Sequence, residues 1–291
     1  MINFNNNNIS EVYVGNIRMA SGYTDGSWIF PTSTPPVPPT PTDYKAKTYS
    51  HQQSFTIPLN GSSILTWEEI NSLAQIAYYV EITTAVTELG SSVFQQIESV
   101  SGYSLPNTLE TIGFQSFYLT NGIETIDLPN SLQTIGNSSF MASSIEHITI
   151  PSSVRTIESQ AFDLCPNLSS ITIEEGVTTI GSSAFDRNIV LTSITIPNSV
   201  TNLGEYCFNG CSGMTSLTIG SGLTLLPHQA FSYCTSLVDI TSLAMQAPLI
   251  NPSNPTSFSH IGSNGVLHVP SGSSGYDAWL ARLDNWTIDY I

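Results

Sequence analysis

The sequence predicts an α/β repeat solenoid of about seven 22–23-residue units with N- and C-terminal caps, preceded by a small β module and a Pro-rich linker. Three observations carry this expectation. Residues 148–239 read as four copies of one unit: ITIPSSVRTIESQAFDLCPNLSS, ITIEEGVTTIGSSAFDRNIVLTS, ITIPNSVTNLGEYCFNGCSGMTS and LTIGSGLTLLPHQAFSYCTSLVD. Phenylalanines 94, 117, 140, 162, 185, 208 and 231 recur at steps of 23, 23, 22, 23, 23 and 23 residues. Within each unit, a short stretch of period-2 alternation gives way to three spaced apolar residues.

The alternating stretch is a half-buried strand. Ile171 and Ile173 flank an outward Thr172, and the same pattern places Val80/Ile82, Tyr103/Leu105, Ile126/Leu128, Ile148/Ile150, Ile194/Ile196 and Leu217/Ile219. A Pro or Gly follows (Pro106, Pro129, Pro151, Gly176, Pro197, Gly220) and ends the strand, Pro by withholding an N–H. Val154, Ile157 and Phe162 then read as a short irregular or 3₁₀-like return segment. One unit cannot bury these residues, but stacked neighbours can, each Phe on the Phe of the next turn.

The unit resembles the BspA-like subfamily of leucine-rich repeats, whose pattern is roughly L-x-x-I-x-I-P-x-S-V-x-x-I-G-x-x-A-F-x-x-C. Residues 168–191 and 191–214 match it nearly in full, and the resemblance extends over about 80–290. It implies a right-handed leucine-rich-repeat solenoid with parallel strands on one face, and a role in binding or adhesion without chemistry. A fold of this kind names no ligand.

Composition narrows the partners. Six Lys+Arg against 22 Asp+Glu give a net charge of -16, which argues against nucleic acid and against an anionic membrane surface. Only 10% of residues are charged, so the surface is largely Ser, Thr, Asn and Gly. No run of 18 apolar residues exists, so no membrane insertion is expected. Of the four cysteines, Cys165, Cys211 and Cys234 follow the repeat Phe by three residues, and Asn188 takes that position in the unit between. In the family this resembles, such an Asn/Cys ladder is structural: Cys fills apolar space and Asn bonds local backbone. Adjacent turns, about 5 Å apart, leave a Cys211–Cys234 disulfide open. The spacings do not suit zinc.

In chain order, residues 1–30 form a small β anchoring module. Val12, Tyr13 and Val14 read as a strand, Ile17 to Met19 as a second, and Trp28 to Phe30 as its close. Thirty residues hold no self-sufficient core, so this piece is expected to dock on a copy of itself or on a larger structural protein through Val12, Tyr13, Val14, Ile17, Trp28 and Phe30. It resembles a short leader of gut bacteriophage structural proteins. The first residues have neither a basic nor an apolar secretory region, which favours display on a particle or release by lysis or a non-classical route. Residues 31–42, with six prolines, are a stiff linker. Residues 43–79 are expected to cap the array, with a half-formed repeat strand at Ser54 to Pro58 and a helix from Thr66 through Ile76. The repeats span 80–239. Residues 240–291 form the second cap: the phase is lost over 247–265, Val266 to Val269 is a strand, and Gly275 to Leu280 a helix.

Sequence motifs for catalysis are missing: no G-x-S-x-G, no phosphate loop, no H-E-x-x-H. The protein is therefore expected to be no enzyme and to need no cofactor. The informative surface is the outward strand face. Glu124, Asp127, Glu146, His147 and Thr149 make its first part acidic; Ser170, Thr172, Thr195 and Thr218 continue it as a row of hydroxyls. Thr is a good exposed strand residue in any case. The functional alternative is a polar groove for a host-surface glycan or protein, and Glu124, Asp127, Glu146 and His147 also have the oxygen-rich character of a divalent-cation site. The expected setting is a virion surface, with a bacterial cell-surface or secreted adhesin as the alternative.

Overall fold

A computed structural model describes the chain without a gap over residues 102–291 and, before that, residues 12–14, 17–20, 23–24, 27–28, 44–50, 53–58, 63–66, 79–82, 86–98 and 100. The described array is a parallel β-solenoid of about nine turns with little helix. One wall, the front, is built of the predicted alternating strands Tyr79–Ile82, Gly102–Ser104, His147–Ile150, Ser170–Ile173, Ser193–Ile196 and Ser216–Ile219, the expected strand Val266–Val269, and two the sequence reading did not name, Asp239–Ser242 and Thr287–Tyr290. Pairing is in register, so Ile148 lies beside Ile171, and Leu217 between Ile194 and Ile240. The inward residues of these strands are buried and the intervening ones face out, as period 2 demands. Residues 126–128, expected as a strand, form none: only Thr125 bridges to His147. The lapse adjoins the one place where the Phe spacing drops to 22.

The return segment is more regular than its spacing suggests. Ile64–Leu65, Glu88–Leu89, Thr111–Ile112, Thr134–Ile135, Thr156–Ile157, Thr179–Ile180 and Asn202–Leu203 form a second parallel sheet, and Leu225–Leu226 pairs likewise with Leu249–Ile250. Two residues suffice for a rung because every turn supplies a pair at the same place. The tightness of this back wall shows at Gly204, where a Cβ would sit 2.2 Å from the Ser182 backbone nitrogen. Only hydrogen fits there.

The third wall carries the phenylalanines. Each ring is fully buried and stacked on the next: Phe117–Phe140 at 4.9 Å, Phe140–Phe162 at 5.0 Å, Phe162–Phe185 at 5.3 Å and Phe185–Phe208 at 5.1 Å between centroids. The backbone holds this spacing, Phe162 N–H donating to Ala184 O and Phe185 N–H to Cys207 O, both at 2.8 Å. To turn the corner, residues two before and two after each Phe adopt left-handed φ: 57° at Gln160 and 58° at Leu164, 55° at Ser183 and 56° at Arg187. That conformation costs an ordinary residue roughly 1–2 kcal/mol. The turn-to-turn hydrogen bonds offset it, which is why glycine fills the position only at Gly210.

Two features correct the expectation for the C-terminal segment. The 23-residue count breaks as expected, but the stack continues: Phe258 lies on Phe231 at 5.6 Å, after a turn four residues longer than the repeat. Trp279 follows Phe258 at 5.1 Å, so the stack outruns the seven expected units. The helix is short, Asp277–Leu280. It buries Trp279, whose indole N–H donates to Pro248 O at 2.9 Å.

At the other end, Tyr44–Ser50 pairs antiparallel with both Gln53–Pro58 and Tyr79–Ile82. Residues 54–58 therefore belong to a hairpin, in place of the expected repeat strand, and the change of polarity covers the first front strand. Further upstream, Val12–Val14 pairs antiparallel with Ile17–Ala20, and Tyr23–Thr24 with Ser27–Trp28. The expected closing residue Phe30, the linker at 31–42 and the expected helix beyond Thr66 lie outside the described residues.

Candidate functional site

The front wall presents two outward columns. One runs from Thr125 through His147 to Ser170, and from Ser193 through Ser216 to Asp239. The other places Thr149 beside Thr172, then Thr195, Thr218, Thr241, His268 and Asp289 in successive turns. Backbone pairing lapses between Ser170–Ile173 and Ser193–Ile196.

On the N-terminal side of that lapse lies a groove of about 330 Å³. It brings together five of the residues the sequence singles out: Asp127, His147, Thr149, Ser170 and Thr172, joined by Glu174 at its rim. Glu124 and Glu146 are neighbours of this set without lining the groove; their carbonyls hold the turns, Glu124 O accepting from Glu146 N and Glu146 O from Ser169 N. Thr195 and Thr218 continue the face beyond the groove.

The electrostatics are one-sided. The three arginines of residues 102–291 are all committed on other walls. Arg155 donates to Ser152 O and Gly176 O, Arg187 lies against Asp186 and Asp163, and Arg282 donates to Ala278 O. Over residues 102–291 the front therefore carries carboxylates, hydroxyls and two imidazoles. Its acids divide by use. Glu174 accepts from the Ser152 N–H at 2.9 Å, a contact that staples one turn to the next. Glu124, Asp127 and Glu146 have no described side-chain partner.

The divalent-cation alternative does not assemble. Among the described residues no group of three or more His, Cys, Asp or Glu side chains converges to hold a metal. Ser169 Oγ lies 3.4 Å from His147 Nδ1, and that hydroxyl also bonds Glu146 O at 3.3 Å.

Groups with shifted acidity sit away from the groove. All four cysteines are free and buried, so the open Cys211–Cys234 disulfide is absent, and burial pushes the Cys165 and Cys211 thiols up to about 12. Their work is structural. Cys165 donates through sulfur to Phe140 O at 3.1 Å, Cys211 to Phe185 O and Cys234 to Phe208 O at 3.2 Å. Asn188 does the same at 3.0 Å to Phe162 O and also accepts from Cys165 N–H. Thr120, at the same place in its turn, donates to Phe94 O at 2.8 Å. Asp163 is buried beside this ladder; burial first, then the Asp186 charge, raises its carboxyl to about 6 against the opposing Arg187.

One polar cluster went unread in the sequence. His268 Nδ1 lies 3.0 Å from Asp289 Oδ2, and its Nε2 is 3.7 Å from Asp239 Oδ2. The signal was present, since His268 is the outward residue of the strand Val266–Val269, but the ladder was expected to stop before it.

A 23-residue turn, a parallel front sheet and a corner of stacked Phe backed by an Asn/Cys ladder define a leucine-rich-repeat protein. The profile of the BspA type leucine rich repeat region matches residues 70–189 and 155–247 in six copies, and the chain belongs to that family. Solved structures give looser likenesses. A leucine-rich repeat protein of T. pallidum is 19% identical with a TM-score of 0.44, covering 57% of this chain and 79% of its own. The pneumococcal vaccine antigen PcpA is 18% identical with a TM-score of 0.45, covering 72% of this chain and 66% of its own. A leucine-rich cell surface protein of Faecalibacterium prausnitzii is 18% identical with a TM-score of 0.32, covering 84% of this chain and 86% of its own. No curated protein matches the sequence. Among the described residues no helix is long and apolar enough to cross a membrane.

Proposed function

We propose that this protein is a non-catalytic binding protein that presents its front wall to a glycan or protein on a host surface. One observation carries the reading: outward Ser, Thr, His and Asp hold in-register columns across successive turns, while the residues between them are buried. A wall held flat by its own core, and pre-ordered before contact, loses little entropy on binding. Membership of the BspA-type family supports a binding role.

The setting we favour is a bacteriophage particle, with residues 1–30 as the attachment device and 31–42 as a spacer; the leader resemblance supports it. The alternative, a bacterial cell-surface or secreted adhesin, is supported by the family itself. The test of binding is the triple substitution Thr172→Lys, Thr195→Lys and Thr218→Lys. All three side chains lie on the outward column. Melting should be nearly unchanged, since exposed substitutions usually fall within about 0.5 kcal/mol, while attachment to host cells should fall. Equal attachment by the variant would move the site off this wall. Proteomics of purified particles separates the two settings.

A further inference from the structure

We propose that Asp163 and Asp186, on consecutive turns of the Phe corner, hold a calcium ion that ties those turns together. The inference goes beyond the binding reading and does not depend on it. It starts from a buried carboxylate with nothing to satisfy it. The Asp163 side chain is 0% exposed, yet neither of its oxygens has a hydrogen-bond partner among the described residues. The Leu164 N–H and the Gln160 amide lie close enough to ease its charge, but the Leu164 N–H is already given to Asp186 O at 3.0 Å. By contrast Glu174 and Glu175, out in solvent, each accept from backbone N–H groups of a neighbouring turn. A carboxylate taken out of water without donors is costly until it is neutralised or met by a cation.

The second observation is where the two acids point. Asp186 is 9% exposed and is held by the Asn209 amide, which donates to Asp186 Oδ1 at 2.8 Å. Its other oxygen and one Asp163 oxygen turn toward a single guanidinium. Arg187 Nε lies 3.2 Å from Asp186 Oδ2, and Arg187 Nη2 lies 3.6 Å from Asp163 Oδ2. Two carboxylates thus converge where positive charge is wanted, and Arg187 meets that need poorly. At 3.6 Å it makes no hydrogen bond to Asp163. Its side chain is 54% exposed, so the head can swing out into water.

Burial and spacing select the ion. A fully buried oxygen is out of reach of a partner's side chain but not of a single ion. The turns are 5.3 Å apart here, measured between the Phe162 and Phe185 rings. Two calcium–oxygen bonds of about 2.3–2.6 Å, end to end, span roughly that rise. Magnesium, with shorter bonds and a strict octahedron, fits stacked carboxylates less well.

The test is isothermal titration of the full chain with CaCl2 after metals are stripped with EDTA, with thermal melting in parallel. One ion per chain is expected here, water completing its shell, with a Kd on the order of 10⁻⁴–10⁻³ M. At tenfold excess over Kd, Tm should rise by about 3–5 °C. Asp163→Asn removes a buried charge, so it should fold, and it should lose both responses. Arg187→Met removes the competing charge and keeps an apolar stem, and should tighten binding about tenfold. The front-wall triple Glu124→Gln, Asp127→Asn and Glu146→Gln should change neither response. No calcium response in wild type would overturn the proposal, Arg187 or water then satisfying the pair. A response kept by Asp163→Asn, weakened by Arg187→Met or lost in the front-wall triple would overturn it too, by placing the ion elsewhere.

Discussion

Phe185→Ala is the sharpest probe of the solenoid. The ring is fully buried and lies between Phe162 at 5.3 Å and Phe208 at 5.1 Å, with interplanar angles of 3° and 6°. Deleting a core aromatic costs about 3–5 kcal/mol. The upper half of that range applies here, because both neighbouring turns are pinned by backbone hydrogen bonds and cannot close over the cavity. Loss of two stacked pairs adds to the same end, each pair carrying about 0.5–1.5 kcal/mol beyond its burial. We therefore expect about 4–5 kcal/mol. Phe258→Ala, beside the tilted Trp279 and under a longer turn, should cost nearer 3 kcal/mol. Urea unfolding followed by circular dichroism reads both. Because each turn touches only its neighbours, the weakened turn should also uncouple the halves and lower the slope of the transition. A Phe185→Ala loss below about 1.5 kcal/mol, or a larger loss at Phe258, would refute the account of the stack.

The remaining predictions concern the ladder, the buried acid and the leader. Asn188→Ala removes three buried hydrogen bonds, with Cys165 N–H, Phe162 O and Phe185 O, and should cost about 2–4 kcal/mol in urea titration; Asn188→Cys, which can still reach Phe162 O, should cost less. Asp163 has a folded acidity raised to about 6, above its unfolded value, so folding favours its neutral form. The stability this contributes is complete only below about pH 4 and is lost as pH rises through about 6; wild type should lose about 2–3 kcal/mol between about pH 3 and 8 from this group, and Asp163→Asn should lack that slope. A chain beginning at Thr42 should be monomeric by light scattering and the full chain should self-associate or co-assemble; monomers in both would count against residues 1–30 as an attachment device.

Much of the fold is legible because burial repeats. The Phe steps and the I-x-I pairs are apolar signals at fixed spacing, and both walls they predict are present. What escaped is what backbone contacts decide. Thr179–Ile180 is too short to read as a strand alone and becomes one only because Thr156–Ile157 and Asn202–Leu203 flank it. Left-handed φ at Gln160 and Leu164 leaves no mark, since neither residue is Gly or Asn. Phe258 was missed because the four extra residues of its turn break the count while the bulge stays outside the stack.

The proposed binding face was legible in a different sense. Its positions follow from period 2, so Asp127, His147, Thr149, Ser170 and Thr172 could be named before any coordinates, and they share one groove. Which of its acids are free could not be named, because Glu146 and Glu174 look alike in sequence. The distinction arises one turn away, where Ser152 presents an N–H to Glu174 and nothing described approaches the Glu146 carboxylate. A carboxylate already accepting from a backbone amide stabilises the stack and gains little from a ligand. Position along the wall is therefore set by the alternation, whereas the use of each acid is set by the turn beside it.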